Sequence, residues 1–300
     1  MGEIEYFTDK HGVSVGFCRW MPTGSARGIV CIAHGASEYG ARYDRFAKFL
    51  TANGLAVFAH DHRGHGHTAK ATGVGIVGPG GWDGILEDQH ELVQLARAAV
   101  PGVKLVLFAH SMGSFIGQAY IQRYSDEIDG VVLSGSSGGT GAEDTKGTLE
   151  LLDAIIADGD ADSPAPTFAA FNVQFEPART TFDWLSRDPD EVDKYIADPL
   201  CGDDMPLTLG FVREMVASLG NAAEGEDRIR KDLPVLFITG EMDPVSQNAS
   251  TVHLLEQRYR DKGITDVAAL YYPEARHELL NETNRDDVQA DVLAWINRVT

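Results

Sequence analysis

Six short apolar runs punctuate the chain: Gly28–Ala33, Leu55–Ala59, Lys104–Ala109, Asp129–Leu133, Val235–Thr239 and Ala268–Tyr272. They are nearly continuous in Val, Ile, Leu and Phe instead of alternating with polar residues. That is the pattern of strands buried on both faces of a parallel sheet. Helical patterns lie between them at Tyr43–Ala52, Trp82–Val100, Met112–Tyr124, Asn248–Arg260 and Arg285–Val299. The second of these carries Ile85, Leu92, Leu95, Ala96 and Ala99 along one face and stops before Pro101-Gly102. Strand–helix alternation of this kind predicts an α/β fold with right-handed crossovers. Ile4–Thr8 and Val13–Trp20, joined by Asp9-Lys10-His11-Gly12, predict an antiparallel hairpin at the sheet edge.

The alternation stops between about Ser136 and Asp232, where six prolines and helical pieces at Thr148–Ala157 and Leu209–Leu219 replace it. This stretch reads as a helical cap inserted between two strands. The 300 residues then divide into one sheet-forming core, 1–135 and 233–300, and a cap, 136–232. The three cysteines, Cys18, Cys31 and Cys201, are scattered and suggest no disulfide framework, so a reducing cytoplasm is expected. No apolar stretch follows a basic start, and no window approaches the roughly 18 apolar residues of a membrane span. Stable membrane insertion is therefore not expected.

A nucleophilic serine at the end of a strand is the strongest chemical signal. Two literal G-x-S-x-G matches, centred on Ser14 and Ser136, lack the context of a sharp strand-to-helix turn. Ser14 sits inside the predicted hairpin, and Thr140-Gly141 follow the second match where a helix should begin. The near-match Ala109-His110-Ser111-Met112-Gly113 has the context: Lys104–Phe108 supplies a strand, and Phe115, Ile116, Ala119 and Tyr120 supply a helical face. A bland reading makes Ser111 a helix cap only. Its partners argue otherwise, because they arrive in the order Ser, acid, His. Asp243 follows the run Val235–Thr239, and His277 follows Ala268–Tyr272, so both fall at the carboxyl ends of late strands. Glu241 competes with Asp243 for the acid role. In this trio His277 takes the Ser111 proton and Asp243 orients the imidazole. The oxyanion hole is expected from the Met112 N–H and from the Ala36 N–H in the loop His34-Gly35-Ala36-Ser37. Such chemistry requires no cofactor.

These residues resemble the α/β-hydrolase superfamily, in its monoacylglycerol lipase and lysophospholipase branch. The resemblance rests on His34-Gly35-Ala36-Ser37-Glu38-Tyr39-Gly40-Ala41-Arg42-Tyr43, on Asp61-His62-Arg63-Gly64-His65-Gly66, and on Phe108-Ala109-His110-Ser111-Met112-Gly113. It implies a serine esterase cleaving lipid-type carboxylic esters under a movable helical cap. It also implies that Glu38 and Arg42 lie near the alcohol end of the substrate; pairing of the two to brace a helix start is the structural alternative. A triad does not choose its leaving group, so short-chain esterase, peptidase or acyltransferase activity stays open here, as does binding alone. Phe168, Phe171, Val173, Phe175 and Trp184 are candidates for lining an acyl site, with plain packing under the cap the simpler expectation for each.

Other chemistries fit less well. The run His60-Asp61-His62-Arg63-Gly64-His65-Gly66-His67 suggests zinc, but a binuclear site needs Asp where Gly64 stands, so no metal is expected. Gly73–Gly78 lacks dinucleotide spacing, and a serine at 111 argues against the aspartate-nucleophile dehalogenases and epoxide hydrolases. Forty-five acidic against 25 basic residues give a net charge of −20, which argues against nucleic acid and anionic membranes as partners. Between Gly141 and Asp232 there are 21 acids and 8 bases, so the predicted cap carries most of that charge. It would repel anions, making a neutral or zwitterionic small-molecule ester the expected substrate.

Overall fold

The computed structural model describes residues 4–139, 142–166 and 168–300, with the side chains of 142–144, 168, 169 and 221 outside the description. Eight strands form one sheet: β1 (Glu5–Thr8), β2 (Ser14–Trp20), β3 (Gly28–Ala33), β4 (Leu55–His60), β5 (Lys104–His110), β6 (Gly130–Ser134), β7 (Val235–Gly240) and β8 (Val267–Tyr272). Their spatial order is β1-β2-β4-β3-β5-β6-β7-β8. The predicted hairpin is real: β1 pairs antiparallel with β2, and β2 antiparallel with β4, while every other neighbour is parallel. All six predicted runs are strands, with bounds within one residue of the expected ones.

Helices cover both faces, which is why the strands are apolar throughout. On one side α1 (Asp44–Ala52) and α9 (Arg285–Val299) bring Phe46, Leu50, Val292 and Ile296 against Val30, Ile32, Val57, Phe108, Val132 and Leu236. On the other, α3 (Gly81–Ala99), α4 (Met112–Tyr124) and α8 (Ser250–Asp261) pack Leu92, Tyr120, Ile121, Val252 and Leu255 on Ile29, Cys31, Phe58, Leu107, Leu133 and Phe237. Alternate residues of one strand thus belong to opposite layers. The short α2 (Ala69–Thr72) follows β4. Helix α8 starts two residues later than its apolar pattern suggests, because Gln247, Asn248 and Ala249 take left-handed φ values of 51°, 55° and 67°.

Between β6 and β7 the chain forms α5 (Ala142–Asp158), α6 (Pro189–Ala197) and α7 (Leu209–Gly225), with short 3₁₀ turns between them. Helix α6 has no counterpart among the predicted elements, although its start is written locally. Asp188 accepts the Asp190 N–H at 3.1 Å, and Pro189 takes the first helical position. Thr208 caps α7 in the same way through Phe211 N–H at 3.2 Å. Among the described residues of this stretch only the isolated bridge Pro164–Thr208 is β-like. Thr140-Gly141, which follow the motif centred on Ser136, lie outside the described residues.

Candidate active site

Strand β5 ends at His110 and α4 begins at Met112, so one residue makes the turn. That residue is Ser111, at φ 53° and ψ −123°. A side chain in this region is strained and persists only where its surroundings hold it. Here the Ser111 N–H donates to Ser134 O at 2.9 Å, and Ser111 O accepts from Ser114 N at 2.7 Å and Ser114 Oγ at 2.6 Å. The tight crossing also needs Gly113, where an added Cβ would sit 2.1 Å from Ala33 O and 2.6 Å from His34 O. Gly113→Ala therefore forces backbone to move, and we expect a loss of at least about 3 kcal/mol of stability, read as a fall in denaturation midpoint, together with lost activity.

The first glycine of the usual motif is Ala109 here, and the structure shows where the room comes from. On the facing helix stands Gly117, whose own Cβ would lie 3.0 Å from Ala109 Cβ. The two rejected serines are placed elsewhere. Ser14 lies in β2, and Ser136 is buried, its Oγ 2.8 Å from Ser114 Oγ and accepting from Gln118 Nε2 at 3.0 Å.

Asp243 and His277 converge on Ser111 from the ends of β7 and β8. Their loops are stitched together: Glu241 N–H donates to Tyr272 O at 3.0 Å and Met242 N–H to Ala275 O at 3.0 Å. His277 Nε2 lies 2.8 Å from Ser111 Oγ, and its Nδ1 lies 2.9 Å from Asp243 Oδ1. The carboxylate accepts the Nδ1–H, which leaves Nε2 free to accept the serine proton. Asp243 and His277 are buried and bonded to each other, whereas Glu241 is exposed. Burial alone would push the His277 pKa down, but the Asp243 carboxylate outweighs it and the net shift is upward from 6.5. Activity that needs neutral His277 should therefore fall as pH drops through a midpoint above 6.5. Asp243→Asn should cost about 10⁴ in kcat and move the residual acid limb to lower pH, measurable as a pH–rate profile on a soluble ester.

Met112 and Ala36 border a cavity of about 560 Å³ beside Ser111. Neither backbone N–H donates a hydrogen bond within the described residues. The His34 ring holds the second loop. Its Nδ1 bonds Gly35 O at 2.7 Å, and its Nε2 accepts His62 N–H at 2.9 Å, so Nδ1 carries the proton. His60, His62 and His65 are buried around it, and His62 Nδ1 lies 3.0 Å from His60 Nε2. His65 Nδ1 bonds Arg63 O at 2.9 Å, and no group of His, Cys, Asp and Glu among the described residues is arranged to hold a metal.

The same cavity also has an aromatic wall. The Trp184 ring packs 5.0 Å from His277, and Phe171 packs 4.9 Å from Trp184. Of the five apolar candidates, these two line the cavity. Val173 is 72 % exposed, and Phe175 lies under the Arg276 guanidinium at 4.1 Å, while the Phe168 side chain is outside the description. Glu38 lines the cavity and accepts from Arg42 Nη1 at 2.7 Å. Arg42 is also held by Glu278, through Nη1 to Oε1 at 2.5 Å and Nη2 to Oε2 at 2.7 Å. Adjacency to His277 is the only sequence signal that marks Glu278.

Comparison with known proteins gives this geometry a context. A family model described as serine aminopeptidase, S33, matches residues 24–284. A monoacylglycerol lipase from Mycolicibacterium smegmatis is 32 % identical, over 97 % of this chain and 95 % of that protein. A monoglyceride lipase from Mus musculus is 28 % identical over 89 % of this chain and 85 % of its own length. Among solved structures, a thermostable carboxyl esterase from Bacillus coagulans superposes with a TM-score of 0.88 at 27 % identity, covering 99 % of this chain and 98 % of that one. The chain belongs to the serine aminopeptidase S33 family of the α/β-hydrolase superfamily, in its monoacylglycerol lipase-like branch, and is a carboxylic ester hydrolase.

Proposed function

We propose that this chain hydrolyses monoacylglycerols through an acyl-enzyme, with Ser111 as nucleophile, His277 as general base and acid, and Asp243 as the group that orients and charges the imidazole. The observation that carries the reading is the bonded line from Ser111 Oγ to His277 to Asp243, at 2.8 and 2.9 Å, on a strained turn facing a cavity. Ser111 Oγ adds to the ester carbonyl as its proton passes to His277 Nε2. The negative oxygen is held by the Ala36 and Met112 N–H groups. His277 then protonates the departing alcohol, and water repeats the two steps to release the fatty acid.

The aromatic wall of Phe171 and Trp184 suits an acyl chain, and Glu38, with Arg42 behind it, marks the polar end for the alcohol. Residues 136–232 act in this reading as the cap over that cavity. Their surplus of acids disfavours anionic head groups and favours a neutral ester. Three buried free thiols agree with a reducing cytoplasmic setting.

Hydrolysis rates on monoacylglycerols, lysophospholipids, short-chain esters and aminoacyl amides test the assignment. The expected result is kcat/KM highest for a monoacylglycerol and lowest for amides and for anionic lysolipids at low salt. Faster turnover of an aminoacyl amide or of an anionic lysolipid would overturn it.

A further inference from the structure

Two loops must hold a fixed separation for the reaction to proceed. One carries the Ala36 N–H donor and follows β3; the other carries His277 and follows β8. They lie far apart in the chain, and one guanidinium touches both. Glu38 reaches the first loop through its Oε1, which accepts the Gly35 N–H at 2.5 Å and the Tyr43 hydroxyl at 2.8 Å. A Cβ on Gly35 would stand 2.9 Å from that oxygen and 3.1 Å from Ser111 Cβ, so the Gly35 peptide is seated between the carboxylate and the nucleophile. Glu278 belongs to the second loop, next to His277, and its N–H is fixed to Leu185 O at 2.7 Å. Arg42 spans the two carboxylates, with side-chain exposures of 14 % for Arg42, 3 % for Glu38 and 7 % for Glu278. The face of its guanidinium lies 4.7 Å from the Tyr195 ring, and the Tyr195 hydroxyl donates to Ser37 O at 3.0 Å.

Stability is a poor reason to bury such a trio. Two carboxylates and one guanidinium leave a surplus negative charge out of water, and well-packed apolar side chains would serve the fold as well or better. What the trio supplies is geometry, since the planar fork of arginine holds two carboxylates at a set spacing. We propose that Arg42, held between Glu38 and Glu278, is a positioning residue that fixes the oxyanion donor at Ala36 relative to the base at His277. Glu278 is its second anchor. The role rests on the catalytic reading of Ser111, Asp243 and His277 given above. Opening either arm lets the two loops drift independently, and a misplacement of about 1 Å in such a site costs up to about 100-fold in rate.

Glu38→Gln and Glu278→Gln keep a hydrogen-bonding oxygen while removing the charge, and so leave no buried anion unpaired. Each is expected to lower kcat about 10- to 100-fold at near-wild-type thermal midpoints, with KM within about twofold for Glu278→Gln, which lies outside the proposed alcohol end. The double variant should be no slower than the slower single one, because the loops are already uncoupled once one arm opens. Inactivation by a fluorophosphonate should slow in step with kcat. Losses that multiply in the double variant would overturn the proposal, as would a rise in KM at unchanged kcat or a kcat loss that tracks the fraction unfolded. Wild-type protein that resists the fluorophosphonate would remove the catalytic reading itself. Reactive wild type with both Gln variants inactivated at its rate would remove only the brace.

Discussion

Ser111→Ala is expected to lower kcat for ester hydrolysis by on the order of 10⁶ and to abolish labelling by a fluorophosphonate. The side chain lost is the atom that attacks, and no neighbouring hydroxyl can stand in. Ser114 Oγ is committed to Ser111 O at 2.6 Å, and Ser136 Oγ is buried against Ser114 and Gln118. The fold should survive, because the bonds that hold the turn use the backbone of residue 111, with Ser134 O and Ser114 as partners. A small methyl is accepted there as readily as the hydroxymethyl. The variant should therefore keep its thermal midpoint within a few degrees and still bind ester in the cavity. Substantial turnover by folded Ser111→Ala protein would place the nucleophile elsewhere.

Acid should unfold this protein earlier than its carboxylates alone require. Five histidines, His34, His60, His62, His65 and His110, are buried and held neutral. Burial is the first cause in each, since the imidazolium would lose its water; neighbouring imidazoles add repulsion at several of them. His60 and His65 fall to about 3 and His110 to about 4. The unfolded chain takes up a proton on each near pH 6.5, while the folded chain does not, so stability is full above that value and declines as pH falls below it. His277 works in the opposite sense. Its raised pKa adds stability at low pH that fades as pH rises through the folded value, but it is one group against five. By pH 5.5 the five together remove on the order of 5 kcal/mol, a large share of the roughly 5–15 kcal/mol that holds a typical domain together. Calorimetry from pH 7.5 to 5.5 should show a steep fall in midpoint with proton uptake on unfolding. An unchanged midpoint across that interval would contradict the neutral cluster.

The sheet was legible in the sequence because burial on both faces leaves a continuous apolar signature, as in Ile29–Ala33 and Leu105–Ala109, which chance seldom reproduces. The trio Ser111, Asp243 and His277 was legible because each residue stands within five residues of the end of such a run, and strand ends in a parallel sheet gather at one edge. Helix α6 carried only a capping signal, Asp188-Pro189, with no long apolar face, and local signals of that strength compete with many false ones. Glu278 was invisible for a different reason. Its role comes from a contact between segments remote in the chain, that of Arg42 with Glu278, and no periodicity records a contact of that kind. Phe175 packs against the core and under Arg276, the simpler of its two expectations, while Val173 is exposed, because an aromatic or branched residue near a cavity in sequence need not face it in space.

The pairing of Ala109 with Gly117 bears on how active sites of this kind are found by their letters. A pattern that demands glycine at a given place records one way of meeting a limit on volume. Here the methyl sits on the strand and the hydrogen on the helix, and the sum across the crossing is what the structure constrains. Searches that score the two positions jointly would recover nucleophiles that a fixed spelling discards. They would also set aside Ser14 and Ser136, which spell the pattern correctly in places where no turn exists to use it.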